Sequence, residues 1–367
     1  MNICLIGDSL TSLALAKNLI NKKIKVFLYC KNIKKFKYQT RTIGISKNNF
    51  DFFDENIINF KKSLIWKINK IEIYIEKYKD AKILNFQKPD KDLFCILKNQ
   101  QIYNLLENSL EKNHLFKKIL IKNDEFYKKI LLDKKYDLII NCETNNIISK
   151  NYFSSKIIKN YKSKAYTAII SHKKINNNKA IQIFTKIGPI AFLPISNYKT
   201  SIVYSIYDDK NLSEIEFKKL ILNYNKNYKI KNFSKIEKFK LEFSVPRKYY
   251  YKNVMIFGDL LHKNHPFVGQ GFNMTLRDIK LLSEIIQDKL DLGLPIDYSI
   301  YKKFQKKSKH LNFLYSSSLD WLYEFFKLDS KSKNNYSQNF FKFIDKNKIF
   351  NSIFNKIADK GLTISNH

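Results

Sequence analysis

The chain has little glycine and arginine, and both shortages limit what it can do. Only 8 glycines occur in 367 residues, and arginine occurs only at positions 41, 247 and 277. Phosphate recognition favours the planar guanidinium, so the scarcity of arginine argues against nucleic-acid binding despite a formal net charge of +34. Nearly all of that charge is lysine, which has AT-rich codons. Drift in base composition explains the charge without a nucleic-acid partner.

Other absences concern the cellular setting. The four cysteines, at 4, 30, 95 and 142, are far apart and form no CxxC pair, which indicates reduced thiols rather than a disulfide framework or a zinc site. The start of the chain lacks the features of a signal peptide, and lysines interrupt every long apolar run. We therefore expect a cytoplasmic protein, peripheral to the inner membrane at most.

The spacing of apolar residues predicts an α/β domain at the start of the chain. NICLIG (2–7) and KIKVFLYC (23–30) have the pattern of strands, and SLTSLALAKNLI (9–20) has that of a helix, which together make a βαβ unit. Further predicted segments are a loop over 31–47, a helix over 99–113 and a buried strand over 136–143.

The pattern changes to β-branched and alternating runs from about 164 to 245, which predicts a separate antiparallel sheet. A buried-strand pattern returns in NVMIFGD (253–259), and a strong helix follows from near Asn273. Beyond 297 the pattern is helical, with a flexible surface loop expected over 327–339.

Three of the eight glycines fall within IFGDLLHKNHPFVGQGFNMTLRD (256–278). Asp259 follows a predicted parallel strand, so it should face the crevice where such sheets bind ligands. Glycines at a helix N-terminus let the backbone approach a flat ligand, and the helix amides favour negative charge. A flavin has a polyhydroxyl chain and a ring edge that becomes anionic on reduction. The alternative is an ordinary strand-to-helix connection.

This stretch resembles the second FAD-binding signature of the ubiquinone-biosynthesis hydroxylases, aromatic-ring flavin monooxygenases of the para-hydroxybenzoate hydroxylase fold. TRTIGIS (40–46) and GPIAFLPI (188–195) resemble two further motifs of that family, in the right order. The likeness extends over most of the chain, to about residue 325. The positions that match the signature are Gly258, Asp259, His262, His265, Pro266, Gly269, Gln270, Gly271, Asn273 and Asp278.

The resemblance implies bound FAD, NAD(P)H as reductant and no metal. It also implies that Asp259 binds the ribityl chain, that Pro266 and the 269–273 loop lie against the isoalloxazine, and that Arg41 contacts the flavin. No side chain is expected to act as a nucleophile, because the cofactor carries the chemistry. The residues placed at the cofactor are Gly7, Ser9, Ser12, Arg41, Gly258, Asp259, Pro266, Gly269, Gln270, Gly271, Phe272 and Asn273.

The opening βαβ unit departs from the dinucleotide pattern GxGxxG. It reads GDSLTS, so Ser9 and Ser12 occupy the second and third glycine places, and Asp8 brings a carboxylate next to the expected pyrophosphate. Cys30 stands where an acid would hold the adenosine ribose, and Glu143 keeps the acid of an altered middle motif, CETNNI. These changes predict an eroded adenosine half and an intact isoalloxazine half.

Several residues keep two interpretations. His262 and His265 have a functional interpretation, as metal ligands or as a general base, and a structural one, in which they shape their loop. No third metal ligand has suitable spacing. Arg247 either meets a cofactor phosphate or lies on the surface. The segment 339–362 predicts a basic amphipathic helix, which either packs on its own domain or lies on an anionic membrane.

The expected fold class is α/β: an FAD-binding βαβ-type domain with an inserted antiparallel β-sheet substrate domain and a helical C-terminal tail. The expected parts are 1–163 (FAD-binding domain, with part of the substrate layer near 60–98), 164–245 (β-sheet substrate domain), 246–297 (completion of the FAD-binding domain) and 298–367 (tail).

The expected function is hydroxylation of the aromatic ring of a polyprenylated ubiquinone precursor, a polyprenyl phenol or quinol, by an FAD-dependent monooxygenase that uses NAD(P)H and O2. Other ubiquinone-biosynthesis proteins are candidate partners, and no nucleic acid is expected. The alternative is a degenerate, non-catalytic paralogue that binds the lipid precursor or a partner hydroxylase.

Overall fold

The fold is that of a computed structural model, which describes residues 1–31, 40–76, 92–207, 211–264 and 270–331 and the backbone of 82–87. At Gln270 and Lys331 it describes the backbone only. The segment predicted as an amphipathic helix over 339–362 lies outside these residues, as do His265, Pro266 and Gly269.

A six-stranded sheet forms the first layer. Its strands are β1 (Asn2–Ile6), β2 (Lys25–Cys30), β8 (Phe116–Leu120), β9 (Leu138–Asn141), β16 (Tyr250–Tyr251) and β17 (Val254–Ile256), in the order β16-β17-β9-β1-β2-β8. β1 is parallel to both β2 and β9, and β17 is parallel to β9, while β16 runs antiparallel to β17. The carboxyl ends of β1, β9 and β17 therefore meet at one edge, where open α/β sheets bind ligands.

An eight-stranded sheet forms the second layer. Its strands are β5 (Lys70–Ile75), β6 (Lys82–Gln87), β10 (Lys156–His172), β11 (Lys179–Thr185), β12 (Gly188–Ser196), β13 (Lys199–Ile206), β14 (Ile230–Phe233) and β15 (Glu237–Pro246). The order is β14-β10-β13-β12-β11-β5-β6, and β15 also pairs with β10. The pairs are antiparallel except β5 with β11, so the sheet predicted over 164–245 is joined by two strands from the region near 60–98.

A small antiparallel sheet corrects the loop predicted over 31–47. β3 (Thr42–Ser46), β7 (Phe94–Lys98) and β4 (Trp66–Ile68) pair in the order β3-β7-β4. β3 is short and has a glycine at its centre, so local pattern alone does not distinguish it from a loop. Its pairing with β7, distant in sequence, makes it a strand.

Eight helices are described: α1 (Leu10–Asn21), α2 (Lys47–Asn56), α3 (Asn99–Glu111), α4 (Glu125–Leu132), α5 (Ile147–Tyr152), α6 (Glu214–Tyr224), α7 (Gln270–Asp291) and α8 (Ser299–Lys331). The predicted α3 is confirmed, with Ile102, Leu106 and Leu110 buried on one face. α7 begins three residues before the predicted start at Asn273, so Gly271 lies in its first turn.

The two largest apolar clusters each belong to one of the two main sheets. The larger lies around the six-stranded sheet and includes buried residues of α1, α3, α7 and α8. Tyr301 fastens α8 to this sheet: its buried hydroxyl accepts from the Ile139 amide at 2.7 Å and donates to the Ile139 carbonyl at 2.8 Å. The smaller core packs α6, through Phe217 and Ile221, on the eight-stranded sheet.

The loop predicted over 327–339 is wrong at its start, because α8 continues to Lys331. Burial explains the extension: Asp329 is buried, and the ring of Phe326 stacks on Phe184 with centroids 3.5 Å apart. The remainder of that segment lies outside the described residues. Among the described helices, none combines the length and apolar character needed to cross a membrane.

Candidate flavin site

Three segments meet at the shared edge of the six-stranded sheet. Gly7 follows β1, Glu143 comes after β9, and Asp259 comes after β17. Gly7 has φ +106°, which L side chains rarely adopt, and an added Cβ would lie 3.1 Å from the Glu143 amide nitrogen. The first turn is therefore packed directly against the segment of the middle motif.

The segment after β17 combines a tight packing contact with an exposed acid. Gly258 has φ +67°, and an added Cβ would lie 2.6 Å from Thr11 Cγ2 in the first turn of α1. The next residue, Asp259, is exposed within the 3-10 turn 258–260. In the described part of the chain its carboxylate has no hydrogen-bond or ion-pair partner. It is thus available to a ligand.

The two serines of the opening turn bond to each other. The Ser12 amide donates to Ser9 Oγ at 3.3 Å, and the Ser9 amide donates to Ser12 Oγ at 2.8 Å, which makes a capping box at the start of α1. The two hydroxyl groups also lie 2.9 Å apart. Both predicted cofactor positions are therefore occupied in capping the helix, and the Ser12 amide already has an acceptor.

Asp8 is directed into a partly buried cluster of polar side chains. Its carboxylate accepts from Tyr103 Oη at 2.8 Å and lies 2.9 Å from Lys118 Nζ, which also lies 2.8 Å from Glu107. Burial opposes a charged Lys118, but the hydrogen bonds to Glu107 and Asp8 outweigh it and raise the pKa of the ammonium. The carboxylate that the sequence placed beside a pyrophosphate thus has a lysine of β8 as its ion-pair partner, which it shares with Glu107.

Cys30 does not provide an adenosine contact in this arrangement. It is buried at the end of β2, and burial, reinforced by the Asp8 carboxylate, raises the pKa of its thiol. A neutral, enclosed thiol cannot reproduce the carboxylate–ribose hydrogen bonds of a dinucleotide site.

Glu143 is also held within the protein. It accepts from the hydroxyl of Tyr127 at 2.7 Å, and Tyr127 is fully buried. Burial and this carboxylate raise the pKa of the Tyr127 phenol. Asn141 Oδ1 accepts from the Glu143 amide at 3.1 Å and so supports the turn after β9.

Asn273 fixes the start of α7 to the small sheet. Its Oδ1 accepts from the Ser46 amide at 2.9 Å and from Asn49 Nδ2 at 3.0 Å, and its Nδ2 donates to the Gly44 carbonyl at 2.8 Å. The side chain is buried and engaged on both polar atoms. These bonds position the start of α7, and a contact between Asn273 and a flavin stays a prediction.

The remaining predicted positions around α7 differ in what the structure shows. Phe272 is half-buried in the main core, with its ring 5.7 Å from that of Phe53. At Gly271 an added Cβ would meet no atom of the described residues within 4 Å, so this part of the first turn of α7 is not packed against them. Pro266 and Gly269 lie outside the described residues, and Gln270 is described by its backbone only.

His262 belongs to a buried hydrogen-bonded chain. Its Nε2 lies 2.6 Å from Asp278 Oδ2, and Asp278 Oδ1 accepts from Asn312 Nδ2 at 3.0 Å. The chain links the segment after β17 to α7 and α8, which supports a structural role for His262. Within the described residues, no group of three or more His, Cys, Asp or Glu is placed to hold a metal.

Arg41 lies beside the second sheet. Its guanidinium stacks on the ring of Phe239 in β15, 4.1 Å from the centroid. The neighbouring Thr40 hydroxyl donates to Glu237, also in β15, at 2.5 Å. A contact between Arg41 and a flavin stays a prediction.

Comparison with known proteins places the chain in a family. The model of the squalene epoxidase family matches residues 165–354, just over half of the chain. The chain belongs to the squalene epoxidase family. Two curated relatives are similar to part of the chain. The mitochondrial ubiquinone biosynthesis monooxygenase COQ6 of Dictyostelium discoideum is 28% identical over 183 residues, which cover 40% of this chain and 37% of the relative.

The second relative, the 3-demethoxyubiquinol 3-hydroxylase of Escherichia coli K12, is 27% identical over 151 residues, 39% of this chain and 38% of the relative. This squalene epoxidase family member thus spans between a third and a half of the curated relatives it matches.

Solved structures share the fold of this squalene epoxidase family member. The p-nitrophenol 4-monooxygenase PnpA of Pseudomonas putida DLL-E4 superposes with a TM-score of 0.74 at 10% identity, over 98% of each chain. PqsL of Pseudomonas aeruginosa, a probable FAD-dependent monooxygenase by its published description, gives 0.69 at 11% identity, over 90% of this chain and 99% of its own.

The predicted α/β fold class is confirmed, as is the resemblance to the ubiquinone hydroxylases. The chain shares its fold with the monooxygenases PqsL and PnpA, and FAD as its cofactor stays a prediction.

The residues of this squalene epoxidase family member fit a flavin better at one end of the edge than at the other. After β17, Asp259 presents an exposed carboxylate that has no partner among the described residues, and at the start of α7 Gly271 is not packed against any described residue. These groups suit the ribityl chain and the ring. Beside β1 and α1, the polar side chains are paired within the protein and the acid position is a buried thiol, so few of these groups are available to an adenosine.

Sequence reasoning missed Lys118, Tyr103 and Tyr127, the partners of the acids at this edge. A general signal was present, because a carboxylate directly after a buried strand needs a partner. The identity of that partner depends on how β8 and α3 pack, and no local motif encodes it.

Proposed function

We propose that the chain is an FAD-dependent monooxygenase that hydroxylates the aromatic ring of a polyprenylated ubiquinone precursor with NAD(P)H and O2. The exposed Asp259 carboxylate, in the segment between β17 and the 22-residue helix α7, carries the proposal. The distant likeness to ubiquinone hydroxylases supports the substrate class.

In this proposal each element of the edge has a physical task. Asp259 accepts hydrogen bonds from the ribityl hydroxyls. The N-terminal amides of α7 stabilise negative charge on the pyrimidine edge of the ring, and Gly271 leaves room for the ring to approach. When bound, the flavin supplies the activation of O2 and the oxygen transfer, chemistry that amino-acid side chains lack.

The adenosine half contributes little to binding in this proposal. Ser9 and Ser12 cap α1, and Cys30 cannot form the hydrogen bonds by which a carboxylate holds a ribose. The affinity for FAD therefore comes chiefly from the ring and the ribityl chain. Asp8 repels the diphosphate less than an unpaired carboxylate would, because Lys118 lies 2.9 Å from it.

The substrate side is apolar. Leu193 and Ile195 of β12, in the GPIAFLPI stretch, pack in one cluster with Trp66 and Phe94 of the small sheet. Apolar walls suit a polyprenyl phenol. Because such a substrate resides in a bilayer, we place the protein in the cytoplasm and at the periphery of the inner membrane.

A degenerate paralogue that binds the lipid precursor or a partner hydroxylase is the second candidate. The hydrogen-bonded pair Ser9 and Ser12 and the buried Cys30 favour this candidate. A turn that binds no dinucleotide needs partners within the protein for its polar groups, in place of the ligand.

Purification without added cofactor, followed by a visible spectrum and an FAD titration, separates the two. The monooxygenase proposal predicts saturable binding, followed by NAD(P)H oxidation that a polyprenyl phenol accelerates. A colourless protein that ignores millimolar FAD would support the paralogue. Binding of FAD without any response to polyprenyl phenols would contradict the substrate class alone.

A further inference from the structure

A surface groove of about 740 Å³ lies along one side of α8, and no residue assigned to the flavin edge lines it. Its walls come from the start of β10, the end of β15, β16 and the first half of α8. Apolar and cationic side chains line it together, among them Ile157, Val245, Pro246, Arg247, Lys309 and Phe313.

Positive charge converges on the groove. Arg247 and the lysines 302, 306 and 309 line it, and none of the described residues that line it carries a carboxylate. Within the described residues none of these four cations has an ion-pair partner. Elsewhere on α8 the pattern differs: Lys303 lies 2.9 Å from Asp288. Four uncompensated cations around one concave surface attract an anion.

The groove is also apolar. Val245 and Pro246 are buried at its base, while Ile157 and Phe313 line it with 44% and 43% of their surface exposed. Burial of exposed apolar surface by a ligand contributes roughly 25 cal/mol per Å². A site for a small inorganic anion needs no such surface.

The walls are held rigidly. The buried hydroxyl of Tyr301 bonds α8 to β9, and Gln305 Oε1 accepts from the Tyr249 amide at 2.8 Å, which ties α8 to the chain before β16. The Arg247 amide donates to the Ser155 carbonyl at 3.0 Å. The cations therefore project from a fixed scaffold, which reduces the ordering cost of binding.

Arg247 distinguishes this groove from the general excess of lysine. It is one of three arginines in the chain, and the drift that favours lysine acts against it. A guanidinium offers a planar pair of donors to a phosphate or carboxylate that an ammonium does not.

We propose that this groove binds an anionic amphiphile, a molecule with a phosphate or carboxylate head on an apolar body. The end of the chain is a poor occupant, because residues 332–367 contain six lysines and two aspartates and are repelled by the groove. A second copy of the chain, with a formal charge of +34, is repelled as well.

Calorimetric titration of the full chain tests this with dodecyl phosphate below its micelle concentration, dodecanol and inorganic phosphate. Saturable binding of one dodecyl phosphate is expected, at least tenfold tighter than either other probe, because only dodecyl phosphate uses both the cations and the apolar base. Equal affinity for inorganic phosphate and dodecyl phosphate, or no binding of dodecyl phosphate, overturns the proposal.

In the variant Arg247→Gln/Lys309→Gln, the affinity for dodecyl phosphate should fall at least tenfold. A hydrogen bond to a charged group contributes about 1.5–3 kcal/mol, and about 1.4 kcal/mol corresponds to a tenfold change in affinity. The matched control is Lys303→Gln/Lys307→Gln, which removes the same charge from positions outside the lining. Binding within about twofold of the parent is expected for it. An equal loss of dodecyl phosphate affinity in both double variants would assign the effect to net charge and overturn the proposed site.

Two sources of such a ligand are separated by also titrating dihexanoyl phosphatidylglycerol, a soluble phospholipid. Tighter binding of this lipid assigns the groove to a membrane lipid, and tighter binding of dodecyl phosphate assigns it to a free monoester. Either order supports the proposed class. The inference is independent of the flavin proposal, so each test can fail without the other.

Discussion

Polar side chains at the β1–α1 turn and at the β17–α7 junction, two places on one edge of the sheet, differ in whether they have partners within the protein. At the β1–α1 turn the polar groups are paired inside the protein: Ser9 with Ser12, and Asp8 with Lys118. At the β17–α7 junction the Asp259 carboxylate is exposed, and no partner for it occurs among the described residues. Buried polar groups must be satisfied by a ligand or by the protein. The polar groups at the β1–α1 turn therefore need no ligand, whereas the Asp259 carboxylate at the β17–α7 junction is available to one.

The comparison also separates fold from ligand binding. Gly7 and Gly258 are both required by the backbone, since both have positive φ and both lie against a neighbouring segment. Their retention reflects packing of the edge. Gly271 has neither constraint, so its retention in a glycine-poor chain points to the ligand.

The largest effect is expected from Gly258→Ala, with a loss of about 3 kcal/mol of unfolding free energy. The new Cβ combines a positive φ with the Thr11 contact. Urea denaturation measures the loss. Gly271→Ala is the matched control: its Cβ meets open space, so stability should stay level or rise by up to about 1 kcal/mol, while flavin affinity falls. Equal destabilisation by both substitutions would contradict the comparison.

Lys118→Met should cost about 2–3 kcal/mol, because Asp8 and Glu107 lose their cation in a largely buried cluster. The double variant Asp8→Asn/Lys118→Met should recover part of the loss, as measured by urea denaturation. Flavin affinity should hardly change in either variant, and a large change would show that the cluster belongs to the ligand site.

The same cluster predicts a direction of pH dependence. The pKa of Lys118 is raised in the folded chain, so its stabilising contribution is complete at neutral pH and below. It is lost as the pH rises through the folded-state pKa. The difference in stability between the parent and Lys118→Met should therefore shrink in strongly alkaline solution. A constant difference would contradict this.

Asp259→Ala should weaken FAD and FMN alike, by about tenfold or more, because the ribityl hydroxyls are common to both and a hydrogen bond to a charged group is worth roughly 1.5–3 kcal/mol. The melting temperature should stay within about a degree, since the carboxylate is exposed. Glu111→Ala, an exposed acid at the end of α3, is the control and should leave flavin binding unchanged. Loss of stability without loss of affinity would remove Asp259 from the site.

The smallest effect is expected from Ser9→Gly/Ser12→Gly. Loss of the capping box should cost less than about 1 kcal/mol and free the first amides of α1. FAD affinity should rise by a few fold and FMN affinity should not change, because only FAD reaches this turn. A fall in FAD affinity would show that the serines hold the diphosphate.

Much of the fold follows from local pattern, but the pairings at the site do not. The βαβ unit, α3 and β17 have apolar spacing that predicts them directly. The strand β3 and the last turns of α8 were missed, because pairing with β7 and burial of Asp329 decide them. At the site, the motif locates Asp259 and Gly271. The partners of Asp8 and Asn273 depend on residues 95 or more positions away.

The central claim is that flavin binding depends on the β17–α7 end of the edge. Titration of the cofactor-free protein with FAD and FMN side by side, followed by flavin fluorescence, tests it most directly. The account predicts saturable binding of both, with dissociation constants within about tenfold, or roughly 1.4 kcal/mol. FAD bound a thousandfold more tightly than FMN, or no binding of either flavin, would contradict it.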